Sequence, residues 1–312
     1  MLGGCSQSPA APDPPAPVAA TPPPADAPSL SCTTSISVRA STSAGRTVTY
    51  PSPDQRGGQG HVSIACAPES GATFPVGATR VECVATDALN RTGSCEFQVA
   101  VDPPYRLKRT RIMAYGDSLT EGQSVVPGTD NVLLQANPDA AYPAVLSRLL
   151  TERYTDQRVV VTNRGKGGEQ AFVGLARFID SFRADLPDVV VLLEGSNDLY
   201  RGQGPAAIAD AEAGVSELAA EARNHSARVF ICALPPTKPG RRNIPLATIV
   251  ATNERLKVVA RGEGAYYIDV FTPLLADLDS NVDSDGLHLT PLGYKRLGEV
   301  VFAAVKADLE IQ

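Results

Sequence analysis

What the chain lacks narrows its function before any motif is read. Its 312 residues contain no apolar run near the roughly 20 residues that span a bilayer as a helix. Lys and Arg number 28 against 34 Asp and Glu, a formal net charge of −6. The clustered positive charge that a phosphate backbone attracts is therefore missing, and nucleic acid is not an expected partner. No C-x-x-C pair occurs. That removes the usual thiolate frame for zinc, and no metal or other cofactor is expected. Only three histidines are present, His61, His225 and His288, so histidine-dependent chemistry has few places to reside.

What is present is unevenly spread. Cys32, Cys66, Cys83 and Cys95 fall in one short segment, Cys5 lies near the start, and Cys232 stands alone. Four cysteines in a small β-rich region point to two disulfides and an oxidising compartment, with three connectivities open. The length suits roughly two domains of about 150 residues. Leu2-Gly3-Gly4-Cys5 resembles the lipobox of bacterial lipoproteins, in which the cysteine is lipidated. Ser6 to Leu30 then hold nine prolines among Ala, Ser and Asp, a composition that stays extended and buries no core. Residues 1–30 thus read as a lipobox-like start and a Pro/Ala-rich linker. The resemblance implies a lipid anchor at Cys5 as the one membrane attachment. It places the protein outside the cytoplasm, at a bacterial cell surface or in the periplasm.

Residues 31–103 carry strand signals without a helical period. Cys95-Glu96-Phe97-Gln98-Val99-Ala100-Val101 alternates cleanly, with Cys95, Phe97, Val99 and Val101 on one face. Gly and Pro punctuate the intervals. About 70 residues of short strands imply a small β-sandwich with a thin core that disulfides would support. Ser70-Gly71-Ala72-Thr73-Phe74-Pro75-Val76-Gly77, then Ala85-Thr86-Asp87-Ala88 and Cys95-Glu96-Phe97, resemble the hyalin repeat (HYR) domain. The resemblance implies an immunoglobulin-like fold, the pairs Cys32–Cys95 and Cys66–Cys83, and an extracellular ligand or a spacer role.

After Asp102-Pro103-Pro104 the pattern changes, and 107–312 reads as a second domain. Strand-like runs at 111–115, 158–162, 188–193, 228–234 and 265–270 alternate with amphipathic stretches near 140–153, 170–183, 205–223 and 246–260. A last helix follows Thr290-Pro291, an N-cap and first helical residue. Such alternation argues an α/β fold with a parallel sheet covered on both faces. Ser118 then falls just past the carboxyl end of the first strand, where open α/β sheets place their ligands. It is a candidate nucleophile, provided a base takes its proton. His61 belongs to the other domain, and His225 falls between a helix and a strand. Elimination leaves His288. Cys232 sits in an apolar strand and reads as a core thiol.

Gly116-Asp117-Ser118-Leu119, Asn163-Arg164-Gly165, Gly195-Ser196-Asn197-Asp198 and Asp285-Gly286-Leu287-His288 resemble, in order, the four blocks of the SGNH or GDSL-type hydrolases. The resemblance implies a flavodoxin-like three-layer domain with a five-stranded parallel sheet. It implies a carboxylic ester hydrolase of esterase or lipase type, with Ser118, Asp285 and His288 as triad. The Ser118 and Gly165 N–H groups and the Asn197 amide would form the oxyanion hole, with Asp117, Asn163 and Asp198 in support. The G-x-S-x-G elbow of α/β-hydrolases is absent. Asn281, Asp283, Asp285 and Gly286 stand at EF-hand-like spacing, but Leu292 occupies the twelfth position, where a Glu is required. Gly165-Lys166-Gly167-Gly168 lacks the spacing of a phosphate loop. The expected substrate is a small or polymeric acyl or acetyl ester of a lipid or carbohydrate. The alternatives are a surface adhesin acting through the HYR-like domain, and an acyltransferase on the same site.

Overall fold

A computed structural model describes residues 26–129, 133–202 and 204–311; Cys5 and most of the Pro/Ala-rich segment lie outside them. The described chain forms two compact units, 26–38 with 47–101 and 39–46 with 102–311. No described helix is long and apolar enough to cross a membrane.

The first unit is built on a four-stranded sheet in the order Ile36–Arg39, Thr92–Asp102, Gly77–Thr86, Ser63–Ala67. Alternation puts Val81, Cys83 and Ala85 of one long strand, and Phe97, Val99 and Val101 of its neighbour, into the core. Phe74 is fully buried, and Tyr50 meets Phe97 edge to face at 5.0 Å. Cys66 and Cys83 face each other in register and are joined. Cys32 and Cys95 are joined across 63 residues. Antiparallel strands, an alternating core and an inter-strand bridge are the features of an immunoglobulin-like domain.

Asp87 closes the turn between the two long strands. Its carboxylate accepts from the Gln59, Leu89 and Arg91 N–H groups at 2.9–3.1 Å and from the Arg91 guanidinium at 2.7 and 2.9 Å. Burial alone would raise its pKa; Arg91 and the main-chain donors outweigh this and hold it down to about 2, against 3.8 ordinarily. A carboxyl depressed on folding stabilises above its unfolded pKa and loses that contribution as pH falls through the folded value. We expect amide-exchange protection across Gly77–Thr86 and Thr92–Asp102, relative to the unfolded chain at the same pH, to fall between pH 4 and pH 2 in the wild type. In Asp87→Asn the lower protection should already be present at pH 7. Identical protection in both proteins at every pH would contradict the assignment.

The second unit is an α/β domain. Its sheet comprises β1 (Arg111–Gly116), β2 (Val160–Gly165), β3 (Val189–Leu193), β4 (Arg228–Cys232) and β5 (Tyr266–Ile268). All are parallel in the order β2-β1-β3-β4-β5. This is the flavodoxin-like arrangement. β3, Val-Val-Val-Leu-Leu, is buried at every position because helices cover both faces. On one side α2 (Tyr142–Arg153) packs on α9 (Pro291–Leu309), which the short α7 (Phe271–Leu275) and α8 (Leu278–Asn281) precede and touch; on the other α3 (Leu175–Asp185) packs on α5 (Gly204–Asn224), and α5 on α6 (Leu246–Gly262). Thr290 caps α9 by accepting the Gly293 N–H at 3.1 Å, and Pro291 opens the helix. β2 starts and ends later than the 158–162 expected, and α3 begins at Leu175 rather than near 170, because a glycine-rich turn and a short 3₁₀ segment at Ala171–Val173 lie between them. The carboxyl ends of β1, β2 and β3 gather the functional loops.

Candidate active site

β1 ends at Gly116, and α1 (Ser118–Glu121) begins two residues later. A Cβ on Gly116 would stand 2.1 Å from Thr120 Oγ1 and 2.2 Å from Leu193 O. Only glycine permits a strand-to-helix turn this tight. Asp117 caps α1, its Oδ1 accepting the Leu119 N–H at 2.8 Å. Ser118 therefore occupies the first helical position, where an N–H has no intrahelical acceptor.

Ser118 and His288 are 170 residues apart in sequence, yet Ser118 Oγ lies 2.9 Å from His288 Nε2. His288 Nδ1 lies 2.6 Å from Asp285 Oδ2. Asp285 Oδ1 accepts the Leu287 and His288 N–H groups, each at 3.0 Å. All three side chains are buried. Burial would raise the Asp285 pKa, but the hydrogen bond and charge of His288, with the two main-chain donors, hold it below the usual carboxylate value. A carboxylate kept ionised on Nδ1 fixes the tautomer that leaves Nε2 free to take the Ser118 proton.

The supporting residues each have a contact. Asn197, on α4 (Ser196–Arg201), donates from Nδ2 to Asp117 Oδ2 at 3.3 Å, leaving its second amide hydrogen unassigned. Asp198 accepts the Ala171 N–H at 2.8 Å and so ties α4 to the turn before α3. Asn163 Oδ1 accepts the Gly165 N–H at 2.9 Å. Burial, with neighbouring acidic groups, raises the pKa values of Asp117, Glu194 and Asp198. These three are thus a cluster of buried carboxyl groups that resist ionisation.

The structure does not bring Gly165 to the site. Its N–H is held by Asn163, and it sits inside β2 opposite Gly116. Its glycine identity answers to packing, since a Cβ there would meet Glu121 N at 2.0 Å. The cavity at Ser118, of ≈ 100 Å³, is lined instead by Gly168, together with Asn197, His288, Arg201 and Arg242. Gly168 has φ +79°, which a side chain would strain. Its neighbour Glu169 is anchored by Tyr115 Oη at 2.6 Å and by Arg177 Nε at 2.7 Å. Sequence reasoning passed over Gly168; the clue was the run of three glycines within four residues, weighed only as a phosphate loop. Arg201 and Arg242 carried no motif.

The remaining candidates lie elsewhere. His225 is exposed and paired with Glu221 at 3.1 Å. Cys232 is buried in β4, where burial pushes its thiol up to about 12. Of the EF-hand-like positions, Asn281 bonds Leu274 O and Arg296, and Asp283 accepts the Val125 N–H.

A serine, an imidazole and a carboxylate in line at the carboxyl end of a parallel sheet fit the class that the family match shows, a carboxylic ester hydrolase. The chain belongs to the GDSL-like Lipase/Acylhydrolase family, whose pattern matches residues 114–296, and it carries an HYR domain over residues 24–101. It is 27% identical over 184 residues to esterase TesA of Pseudomonas aeruginosa, covering 58% of this chain and 86% of that protein. It is 25% identical over 220 residues to an acetylxylan esterase of Xylanibacter ruminicola, covering 63% of this chain and 43% of that larger protein. The fold is shared with a lipase/acylhydrolase from Enterococcus faecalis (TM-score 0.54, 23% identity, 64% of this chain and 97% of that one). It is also shared with an acetylxylan esterase from Geobacillus stearothermophilus (TM-score 0.51, 19% identity, 64% and 94%). The HYR domain and its disulfides suggest an extracellular setting.

Proposed function

We propose that the protein hydrolyses short-chain acyl esters, acetyl esters of carbohydrates foremost, through an acyl-enzyme on Ser118. The observation that carries this reading is the continuous chain Ser118 Oγ–His288–Asp285, with links of 2.9 and 2.6 Å. Ser118 Oγ attacks the ester carbonyl as His288 Nε2 takes its proton. The tetrahedral oxyanion is met by the Ser118 and Gly168 N–H groups and the Asn197 Nδ2. His288 then protonates the departing alkoxide, leaving the acyl group on Ser118. Water, deprotonated by the same nitrogen, releases the acid and restores the serine. Asp285 orients the imidazole and stabilises its cation throughout.

The space beside Ser118 supports a small acyl group. A dry cavity of about 150 Å³ is enough for benzene, so ≈ 100 Å³ suits an acetyl or propionyl group rather than a long chain. Similarity to an acetylxylan esterase supports the same choice. Lipidation at Cys5 would hold the enzyme outside the cytoplasm, with the Pro/Ala-rich segment as tether and the HYR domain as spacer or ligand-binding module.

The test is kcat/KM on nitrophenyl esters from acetate to dodecanoate. Acetate should be the best substrate, with octanoate at least about tenfold poorer, the equivalent of about 1.4 kcal/mol. A maximum at octanoate or beyond would overturn the short-chain assignment.

A further inference from the structure

Two guanidinium groups face the cavity that holds Ser118 and His288, and the hydrolytic cycle uses neither. Arg201 is the last residue of α4, and Arg242 lies on the loop between β4 and α6. Arg201 is exposed and has no hydrogen-bond or ion-pair partner among the described residues. A Cβ on Gly168 would stand 3.1 Å from its Nη2, so its head lies over the turn beside the nucleophile. Arg242 is held at its main chain, its N–H donating to Asp285 O at 2.7 Å. Its Nε is buried with no acceptor, 3.6 Å from Asp285 Oδ2 and beyond hydrogen-bond reach. Asp285 is in turn already engaged by His288 and two main-chain donors.

Of the charges near the cavity, Asp285 forms a loose ion pair with Arg242 at 3.6 Å, and none pairs with Arg201 among the described residues. Glu121 is engaged by the Gly167 N–H at 2.9 Å and Gln123 Nε2 at 2.7 Å. Asp117 is buried with a raised pKa. In a chain of net charge −6, a cavity mouth with one unpaired guanidinium and a second that is ion-paired but has a buried Nε without a hydrogen-bond acceptor is a local exception. A guanidinium presents a planar fork of donors that fits carboxylate and phosphate oxygens.

We propose that Arg201 and Arg242 form an anion subsite, and that the natural ester carries a carboxylate or phosphate close to the scissile bond. The proposal rests on the reading of Ser118 as nucleophile and adds the charge of the substrate. An acetylated uronic acid unit is the carboxylate case, and an acetylated sugar or polyol phosphate the phosphate case.

Three matched substrates test it: an O-acetylated methyl glucoside, its C6 carboxylate (uronate) counterpart and its 6-phosphate. At low salt at least one charged substrate should exceed the neutral one about tenfold or more in kcat/KM, and added salt should erode the margin. Which charged substrate leads identifies the anion. Arg201→Gln, at an exposed position, should bring the ratio of charged to neutral kcat/KM down towards one, and Arg201→Gln with Arg242→Gln further still. Equal kcat/KM for all three substrates in the wild type, or a preference unaltered in the double variant, would overturn the subsite. Calorimetric binding of the same three esters to Ser118→Ala reads the subsite without turnover. Failure of nitrophenyl acetate hydrolysis would thus sink the esterase cycle alone, whereas equal affinities would sink the anion subsite alone.

Discussion

Ser118→Ala is expected to lower kcat on nitrophenyl acetate by about 10⁴–10⁶-fold while leaving the fold intact. Removing the nucleophile of such a triad costs nearly as much as removing all three members, because they act as one unit. The substitution deletes one oxygen from a buried site, and α1 keeps its Asp117 cap, so circular dichroism and melting should stay near wild type. Asp285→Asn should fall by about 10⁴-fold, since an amide favours the wrong imidazole tautomer. The double variant Ser118→Ala/Asp285→Asn should be little worse than Ser118→Ala. Multiplicative losses would show that the two residues act independently, contrary to the relay. Retention of more than a tenth of the activity in Ser118→Ala would remove Ser118 from the chemistry altogether.

The second large effect concerns the HYR domain. Joining Cys32 to Cys95 closes a loop spanning 63 residues, and Cys66 to Cys83 one spanning 17. Loop-closure entropy assigns about 4 and about 3 kcal/mol to these bridges. A domain of this size has a thin core and a total stability of only several kcal/mol. Cys32→Ser/Cys95→Ser/Cys66→Ser/Cys83→Ser should therefore leave the first unit unfolded at 37 °C. Rapid amide exchange and protease cutting across residues 31–101 would report this. Hydrolysis of nitrophenyl acetate should persist, because Ser118, Asp285 and His288, the proposed triad, all belong to the second unit. Wild-type exchange protection in the quadruple variant would mean that the core alone sustains the domain.

Much of the catalytic domain could be read from its residues, for physical reasons that also set the limit. β3 is an unbroken apolar run because both its faces are covered, and that signal survives in one dimension. β2 is an edge strand carrying Thr162, Asn163 and Arg164; one side needs no partner strand, so polar residues extend it past the apolar stretch. Ser118 and His288 were accessible because histidine is scarce and their motifs are local. Gly165 and Gly168 were not separable. Three glycines within four residues look alike until the turn closes, when one is committed to packing under α1 and another lines the cavity. Arg201 ends α4 and Arg242 lies on a distant loop, and no periodicity brings them together. The cluster of Asp117, Glu194 and Asp198 was equally hidden, because a carboxyl looks solvated until its surroundings are built.

The distance of 170 residues between Ser118 and His288 also gives the molecule a schedule. Ser118, the proposed nucleophile, is made at the start of the catalytic domain and His288, the proposed base, near its end, just before α9. At synthesis rates of about 5–20 residues per second, roughly 10–30 s pass between them. Throughout that interval the growing chain carries an inert hydroxyl. On that assignment, reactivity appears only once His288 and the helix that follows it are made and docked, so ester cleavage marks a completed catalytic domain.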